Sequence, residues 1–138
     1  MSISKFDEAY MKMAGIYSQL SHDHKTKVGC VLVKDNRIIA AGYNGTPTGT
    51  SNEMRDSNDD TLSTVIHAEM NAIIQAAKSS ISTDGAVAYT TLLPCIHCSI
   101  HLYQAGIRKV IYKDIKQHST KIEGVTYESY TEDDKVSE

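Results

Sequence analysis

The chain of 138 residues contains no tryptophan, one phenylalanine, two prolines and only three cysteines. No stretch approaches the ~20 consecutive apolar residues that a membrane-spanning helix needs, so a transmembrane protein is not expected. The N-terminal segment carries Asp7 and Glu8 where a secretory signal would carry an apolar block, which favours a cytoplasmic protein with reduced thiols. Basic residues are not in excess, because the formal charge is −3, and this argues against broad binding to nucleic acid.

The composition that remains is typical of one globular domain. Hydrophobic residues make up 41% of the chain and charged residues 22%, which leaves enough apolar side chains to form a core. The sequence has no internal repeat and no linker-like stretch before its last residues. It therefore predicts a single domain over residues 1–130 and a disordered polar tail over residues 131–138.

Hydrophobic periodicity predicts three helices and about five strands. The predicted helices cover 5–20, 67–78 and 95–104, and the predicted strands cover 28–33, 37–43, 86–91, 109–112 and 124–127. The first two strands are expected to pair as an antiparallel hairpin, whereas strand–helix alternation after residue 64 favours parallel pairing. The predicted fold is an α/β domain with a mixed sheet of about five strands and helices on both faces.

Two features of the first elements carry predictions about the core. The first helix has apolar residues at helical spacing, and Tyr10, Met13 and Tyr17 are expected to pack in the core. Cys30 lies among valines in the first strand, where burial as a small hydrophobic residue is expected.

The polar connection from 50 to 64 is long for a compact domain, and such connections are usually functional or mobile.

The strongest chemical signal is His67-Ala68-Glu69 at the start of one predicted helix, followed by Pro94-Cys95-Ile96-His97-Cys98 at the start of the next. One imidazole and two thiolates are three zinc ligands, the usual number in a catalytic site that keeps a fourth position open. A helix N-terminus favours ionised sulfur. Glu69 lies two residues from His67, so it can act on a metal-activated water as general acid and base without being a ligand.

Two other interpretations of Cys95 and Cys98 are a redox pair and half of a closed structural zinc site. A thioredoxin-like pair usually follows the first strand, and no tryptophan or other aromatic residue adjoins this one. A closed site needs a fourth ligand, and a second C-x-x-C is absent from the sequence. The joint H-x-E and P-C-x-x-C pattern is instead the signature of zinc-dependent nucleobase deaminases.

Several motifs together resemble the deoxycytidylate (dCMP) deaminase family, including its phage-type members. They are Ser21-His22-Asp23, Val28-Gly29-Cys30-Val31, Gly42-Tyr43-Asn44-Gly45-Thr46-Pro47, His67-Ala68-Glu69-Met70-Asn71-Ala72-Ile73, Ile81-Ser82-Thr83-Asp84-Gly85, Pro94-Cys95-Ile96-His97-Cys98 and Gln104-Ala105-Gly106-Ile107. The resemblance covers roughly residues 5–127. It implies a three-layer α/β/α cytidine deaminase-like fold and the hydrolysis of dCMP to dUMP and ammonia, a step that supplies thymidylate precursor.

The resemblance also implies roles for single residues and for partners. His67, Cys95 and Cys98 would hold one catalytic Zn²⁺, and Glu69 would move the protons. Asn44 would hold the deoxyribose and the backbone of Ala68 would read the pyrimidine edge. Lys78 is a candidate effector or subunit contact. Family members are commonly hexamers that dCTP activates and dTTP inhibits, with Mg²⁺ on the effector.

Some questions stay open at the level of sequence. Ser51-Asn52 and Val65 stand where some relatives carry ligands of a second, structural zinc, so a second metal is not expected. Candidate contacts for the substrate phosphate are Lys25, Lys27, Lys113, Lys116 and Lys121. Two rival functions share the same residues: a deaminase of tRNA or single-stranded nucleic acid, and a zinc-stabilised binding module without catalysis. The compact length would suit a viral enzyme working in the cytoplasm of its host.

Overall fold

The structure is a computed structural model that describes residues 4–116 and 120–130. The predicted disordered tail at 131–138 lies outside the described residues. The elements in chain order are α1 (Lys5–Ser18), β1 (Gly29–Lys34), β2 (Arg37–Tyr43), α2 (Ala68–Lys78), β3 (Val87–Leu92), α3 (Ile96–Gln104), β4 (Lys109–Asp114) and β5 (Thr126–Ser129). Every predicted helix and strand is present, with ends displaced by one or two residues.

The five strands form one mixed sheet in the order β2-β1-β3-β4-β5. β1 pairs antiparallel with β2 and β3, whereas β3 pairs parallel with β4 and β4 with β5. The hairpin between β1 and β2 turns at Asp35 and Asn36, whose φ values of 51° and 61° suit a tight two-residue turn. The antiparallel hairpin and the parallel later strands are both confirmed.

The sheet separates two hydrophobic layers. Alternate side chains of a strand enter different layers, because successive residues point to opposite faces. Cys30 and Leu32 face the layer that contains the alanines of α2 and Leu102 of α3. Val31 and Val33 face the opposite layer, which α1 covers. The predicted α/β/α architecture is thus confirmed, as is the burial of Cys30, which is 0% exposed.

The face that α1 presents to the sheet differs from the predicted one. Met11, Ala14 and Ser18 are the buried residues of this helix, whereas Met13 is 44% exposed. The reason is close packing: a Cβ at Gly29 would collide with the carbonyl oxygen of Ala14. Small residues therefore lie at the contact. Of the three residues predicted for the core, Tyr10 packs against it, Tyr17 is partly buried and Met13 is exposed.

A second close contact sets the position of α2 over the edge strand β2. A Cβ at Gly42 would lie 2.5 Å from the carbonyl oxygen of Ala68 and 2.6 Å from the amide nitrogen of Ala72. The side-chain amide of Asn71 also donates to the carbonyl of Tyr43 at 2.8 Å. These contacts fix the first turn of α2, which carries the H-x-E motif.

Within the described residues, none of the three helices combines the length and apolar character that crossing a membrane requires.

We expect Gly42→Ala to lower the free energy of unfolding by about 1–3 kcal/mol, because the added methyl group forces β2 and α2 apart. Gly15→Ala is the matched control, since a Cβ at this α1 position meets nothing within 4 Å. It should leave stability unchanged or raise it by up to ~1 kcal/mol, because alanine favours a helix interior over glycine. Urea denaturation of the three proteins measures both effects, and equal stability of wild type and Gly42→Ala would contradict the packing argument.

Candidate active site

The N-terminal end of α2 supplies the imidazole of the site. His67 is the N-cap residue of this helix, with an extended backbone, and its side chain makes no capping hydrogen bond. The imidazole is therefore not used for capping and can serve as a metal ligand. The antiparallel bridge between Gly45 and Ile66 holds the preceding residue in place.

The N-terminal end of α3 supplies two sulfurs. Cys95 is the N-cap residue, and its Sγ accepts the backbone N–H of Cys98 at 3.5 Å. This helix begins just past the end of β3, where Pro94 suits the corner because it has no N–H to satisfy. Cys95 is partly exposed and Cys98 is buried.

The three side chains meet at one point in space. Nδ1 of His67 lies 3.5 Å from Sγ of Cys95 and 3.3 Å from Sγ of Cys98, and the three ligand atoms all lie within 4.8 Å of one another. Zinc–nitrogen and zinc–sulfur bonds of ~2.0 and ~2.3 Å at tetrahedral angles place nitrogen and sulfur about 3.5 Å apart. The observed separations and the donor set therefore fit a zinc ion.

The pKa values of the cluster follow from these contacts. The hydrogen bond between the two sulfurs lowers the pKa of Cys95 to about 3, and the same contact raises the pKa of Cys98. The hydrogen bond to Cys95 raises the pKa of His67. A cation bound by both sulfurs would require both thiols to lose their protons.

Glu69 lies in the first turn of α2 and is 4% exposed. Burial raises the pKa of this carboxyl group to about 7, because removal from water disfavours the charged form. A carboxyl group with that pKa both accepts and releases protons at neutral pH.

His67, Glu69 and Cys95 line one cavity of about 220 Å³. This volume is several times the ~30 Å³ that one water occupies in the liquid, so the cavity admits a ring. Ala68 also lines it, and as the first residue of α2 its N–H has no partner within the helix. Asn44 lies on the same wall, so the predicted catalytic, ligand and substrate-binding residues are all brought together.

Asn44 has more contacts than its predicted role requires. Its Oδ1 accepts the N–H of Val28, and its Nδ2 donates to the carbonyl of Thr26, each at 2.9 Å. A primary amide has a second N–H and a second lone pair. Asn44 therefore braces the segment before β1 and keeps one donor and one acceptor for a ligand.

The predicted lysines are distributed over different places. Lys116 lines the cavity of Glu69, whereas Lys25, Lys27 and Lys113 line a neighbouring cavity. Lys78 is the last residue of α2 and is exposed, roughly 15 Å from the first turn at 1.5 Å per residue. The structure thus does not bring Lys78 to the catalytic cluster.

The sequence analysis missed an ion pair in the cavity wall. Arg55 donates from Nε and from a terminal nitrogen to the two carboxylate oxygens of Asp23, both at 2.8 Å. Their side chains are only 9% and 2% exposed, and the hydrogen bond from Arg55 lowers the pKa of Asp23. The signal in the sequence was a lone arginine in an acidic connection, but its partner is 32 residues away.

Comparison with known proteins identifies the family. Residues 4–114 match the cytidine and deoxycytidylate deaminase zinc-binding region. The deoxycytidylate deaminase of Schizosaccharomyces pombe is 37% identical over 118 residues, which is 78% of this chain and 36% of that protein. The mouse deoxycytidylate deaminase is 34% identical over 145 residues, which is 92% of this chain and 80% of that protein.

A solved structure agrees with the sequence relatives. The crystal structure of the dCMP deaminase from cyanophage S-TIM5, in complex with dCMP and dUMP, has a TM-score of 0.88 and 38% identity, and the match covers 94% of this chain and 100% of that one. The fold, the H-x-E and P-C-x-x-C motifs and these similarities agree. The chain belongs to the zinc-dependent cytidine and deoxycytidylate deaminase family.

Proposed function

We propose that the chain catalyses the zinc-dependent hydrolysis of dCMP to dUMP and ammonia, and so supplies a precursor of dTTP. The observation that carries this proposal is the cluster of His67, Cys95 and Cys98 beside a buried Glu69 in one ring-sized cavity. The similarity to deoxycytidylate deaminases over most of the chain supports the choice of substrate.

His67, Cys95 and Cys98 would hold one Zn²⁺ and leave a fourth position toward the cavity. Zinc in such a site supplies activation of water for attack on carbon 4 of the cytosine ring. The partly exposed sulfur of Cys95 lies on the cavity side, whereas Cys98 is buried behind it. Attack would therefore come from the side of the cavity that Glu69 also lines.

Glu69 moves two protons in this scheme. Its carboxylate takes a proton from the attacking water and delivers it to ring nitrogen 3. It then passes the second proton to the amine on carbon 4, which leaves as ammonia, while the water oxygen stays on carbon 4 as the carbonyl of dUMP. The buried position of Glu69 excludes bulk water from this exchange.

Backbone and amide groups would orient the nucleotide. The N–H of Ala68 is free of intrahelical bonds and would face the pyrimidine edge. The spare donor and acceptor of Asn44 suit a deoxyribose hydroxyl. Lys116 is the phosphate contact that we favour, because Arg55, the other basic side chain on this cavity, already binds a carboxylate.

We expect Glu69→Gln to retain zinc and to lower kcat by about 10²–10⁴-fold, because the amide keeps the shape but moves no proton. Metal analysis and ammonia release measure the two quantities. Cys98→Ser is the contrasting variant, since it should lose zinc and activity together. A binding module would release no ammonia even as wild type, and undiminished turnover in Glu69→Gln would contradict the role proposed for Glu69.

The substrate is tested with dCMP, deoxycytidine, free cytosine and guanine side by side. We expect dCMP to give the highest kcat/KM. We expect Lys116→Gln to raise the KM for dCMP. The KM for deoxycytidine should stay within about twofold of the wild-type value, since the nucleoside has no phosphate. Loss of cytosine absorbance follows the pyrimidine reactions, and ammonia release follows all four. Faster turnover of a nucleoside or a free base would contradict the assignment.

The rival reading as a nucleic-acid deaminase has less support. Such an enzyme needs a basic surface and aromatic stacking platforms, whereas this chain carries a formal charge of −3. The cavity wall also contains Asp23, whose carboxylate is paired with Arg55. A mononucleotide of a single phosphate fits these charges better than a polyanionic strand.

We propose that the protein works as a homo-hexamer regulated by dCTP as activator and dTTP as inhibitor, with Mg²⁺ on the triphosphate and Lys78 as an effector contact. A groove of about 700 Å³ between α1, β2 and α2, with both apolar and polar residues in its lining, supports association with further copies. Met13, Ile38 and Ile74 line it and are 44%, 38% and 39% exposed. β2 is also an edge strand, and unpaired edges favour association.

We expect dCTP and dTTP to shift the dCMP saturation curve in opposite directions, and Lys78→Gln to reduce both shifts without changing the unregulated kcat. Initial rates at varied dCMP, with MgCl₂ present, give the curves, and sedimentation velocity gives the assembly. Superimposable curves would refute regulation, and a monomer at all concentrations would refute the hexamer.

We further propose that residues 1–130 form one deaminase domain. The cytoplasm, of a host cell if the source is viral, is the compartment that we favour, because thiol ligands persist in a reducing environment.

A further inference from the structure

Two loops that are distant in sequence form one wall of the catalytic cavity. The first is the segment 21–28 before β1, and the second is the turn 55–61 in the long connection between β2 and α2. Asp23, Thr26 and Val28 of the first loop and Arg55 and Thr61 of the second line the cavity together with Glu69.

The contacts between these loops centre on Asp23 and Arg55. Besides the two bonds to Asp23, Arg55 donates to the carbonyl of Asp59 at 2.9 Å, which orients the guanidinium from its own loop. Asp23 also accepts the N–H of Lys25 at 3.1 Å. An exposed contact between His24 and Asp59 at 3.0 Å joins the same loops at the surface.

A hydrogen-bonded path leads from Arg55 to the metal-ligating end of α2. Arg55 is bridged to Thr61, and the next residue, Leu62, donates to Met54 at 2.9 Å. Val65 donates to Leu62 at 3.1 Å. Ile66, which follows Val65, exchanges two hydrogen bonds of 2.8 and 3.0 Å with Gly45. His67 is the next residue in the chain.

A second path leads from Asp23 to Asn44. The N–H of Asp23 donates to Oγ of Ser21, and that hydroxyl donates to the carbonyl of Asn44 at 2.8 Å. Further along the same loop, Thr26 and Val28 hold the side-chain amide of Asn44. Because Asn44 and Gly45 are adjacent, the two paths meet between the proposed sugar contact and His67.

We infer that Asp23 and Arg55 are a positioning pair, which fixes the two loops so that Asn44 and the start of α2 face a bound nucleotide in register. This inference rests on the proposed function. The pair does not touch the reacting atoms in this scheme, and its effect passes through the segment 21–28 and the turn 55–61. Loss of the pair should therefore weaken substrate binding more than it slows the chemical step.

The chemistry of the pair favours a positioning role over a purely stabilising one. A buried ion pair gives little net stability, since desolvation offsets the attraction, and apolar residues of similar size often replace it without loss. A planar, bidentate arginine–carboxylate contact instead fixes relative orientation. Stability and positioning can thus be separated by replacing both partners at once.

The test compares wild type with the double variant Asp23→Leu/Arg55→Met. We expect this variant to bind zinc fully and to melt within a few degrees of wild type, because it buries no unpaired charge. The KM for dCMP should rise about tenfold or more, with kcat reduced less than threefold. Amide hydrogen exchange in segments 21–28 and 55–66 should accelerate by tenfold or more.

The matched control is Lys109→Met/Glu128→Leu. This pair is 2.9 Å apart and joins β4 to β5, and the cavity lining includes neither residue. KM and exchange in segments 21–28 and 55–66 should stay at wild-type values. If the first double variant does not fold, Arg55→Lys replaces it, because lysine keeps the charge but loses the bidentate geometry, and a raised KM is again expected.

A wild-type KM and unchanged exchange in a folded Asp23/Arg55 variant would overturn the inference. Equal reductions of kcat and zinc content would also overturn it, because they would indicate general damage to the fold. If wild type itself does not deaminate dCMP, the proposed function fails. The exchange comparison between the two double variants still decides whether the pair orders the wall.

Discussion

The site depends on the close approach of the N-termini of α2 and α3. His67 caps α2 and Cys95 caps α3, so each helix presents its ligand from a position where side chains usually cap the helix. The nitrogen–sulfur distances of 3.3 and 3.5 Å leave little tolerance for movement of either helix. Gly42 allows α2 to lie against β2 at this distance, and the packing of small residues is thus a condition for metal binding.

Burial gives the same few residues their chemical properties. Glu69 is enclosed by the layer beneath α2, and its raised pKa follows from the loss of water around it. The sulfurs respond in the opposite sense at Cys95, where a hydrogen bond stabilises the thiolate. A carboxyl group with a raised pKa and a thiol with a lowered pKa therefore lie in the same cluster.

The exposed apolar residues of α1 have a packing explanation of their own. Helical spacing predicted Tyr10, Met13 and Tyr17 in the core. Tyr10 does pack against it, but the contact with Gly29 places Ala14 against the sheet and leaves Met13 exposed. Periodicity identifies an apolar face without stating what covers it. Met13 and Tyr17 of this helix border a groove beside an edge strand, which is the surface that we propose for association between copies.

The long connection illustrates why some of the site escaped prediction. Its length and polarity indicated function or mobility, yet no local pattern identified Arg55 as a partner of Asp23. Ion pairs between distant loops leave no periodic signal, because the sequence separation of the partners is arbitrary. The bracing contacts of Asn44 are similar, since they depend on where the segment before β1 returns to β2.

The sequence by itself determined the elements, the mixed sheet and the H-x-E and P-C-x-x-C motifs. Those properties depend on local spacing: period 2 in strands, period 3.6 in helices, and ligand pairs at the start of a helix. Only the tertiary structure decided which face of α1 is buried and that Asp23 and Arg55 meet in the cavity wall. These outcomes depend on how closely backbones approach one another and on pairings between distant segments, neither of which local spacing specifies.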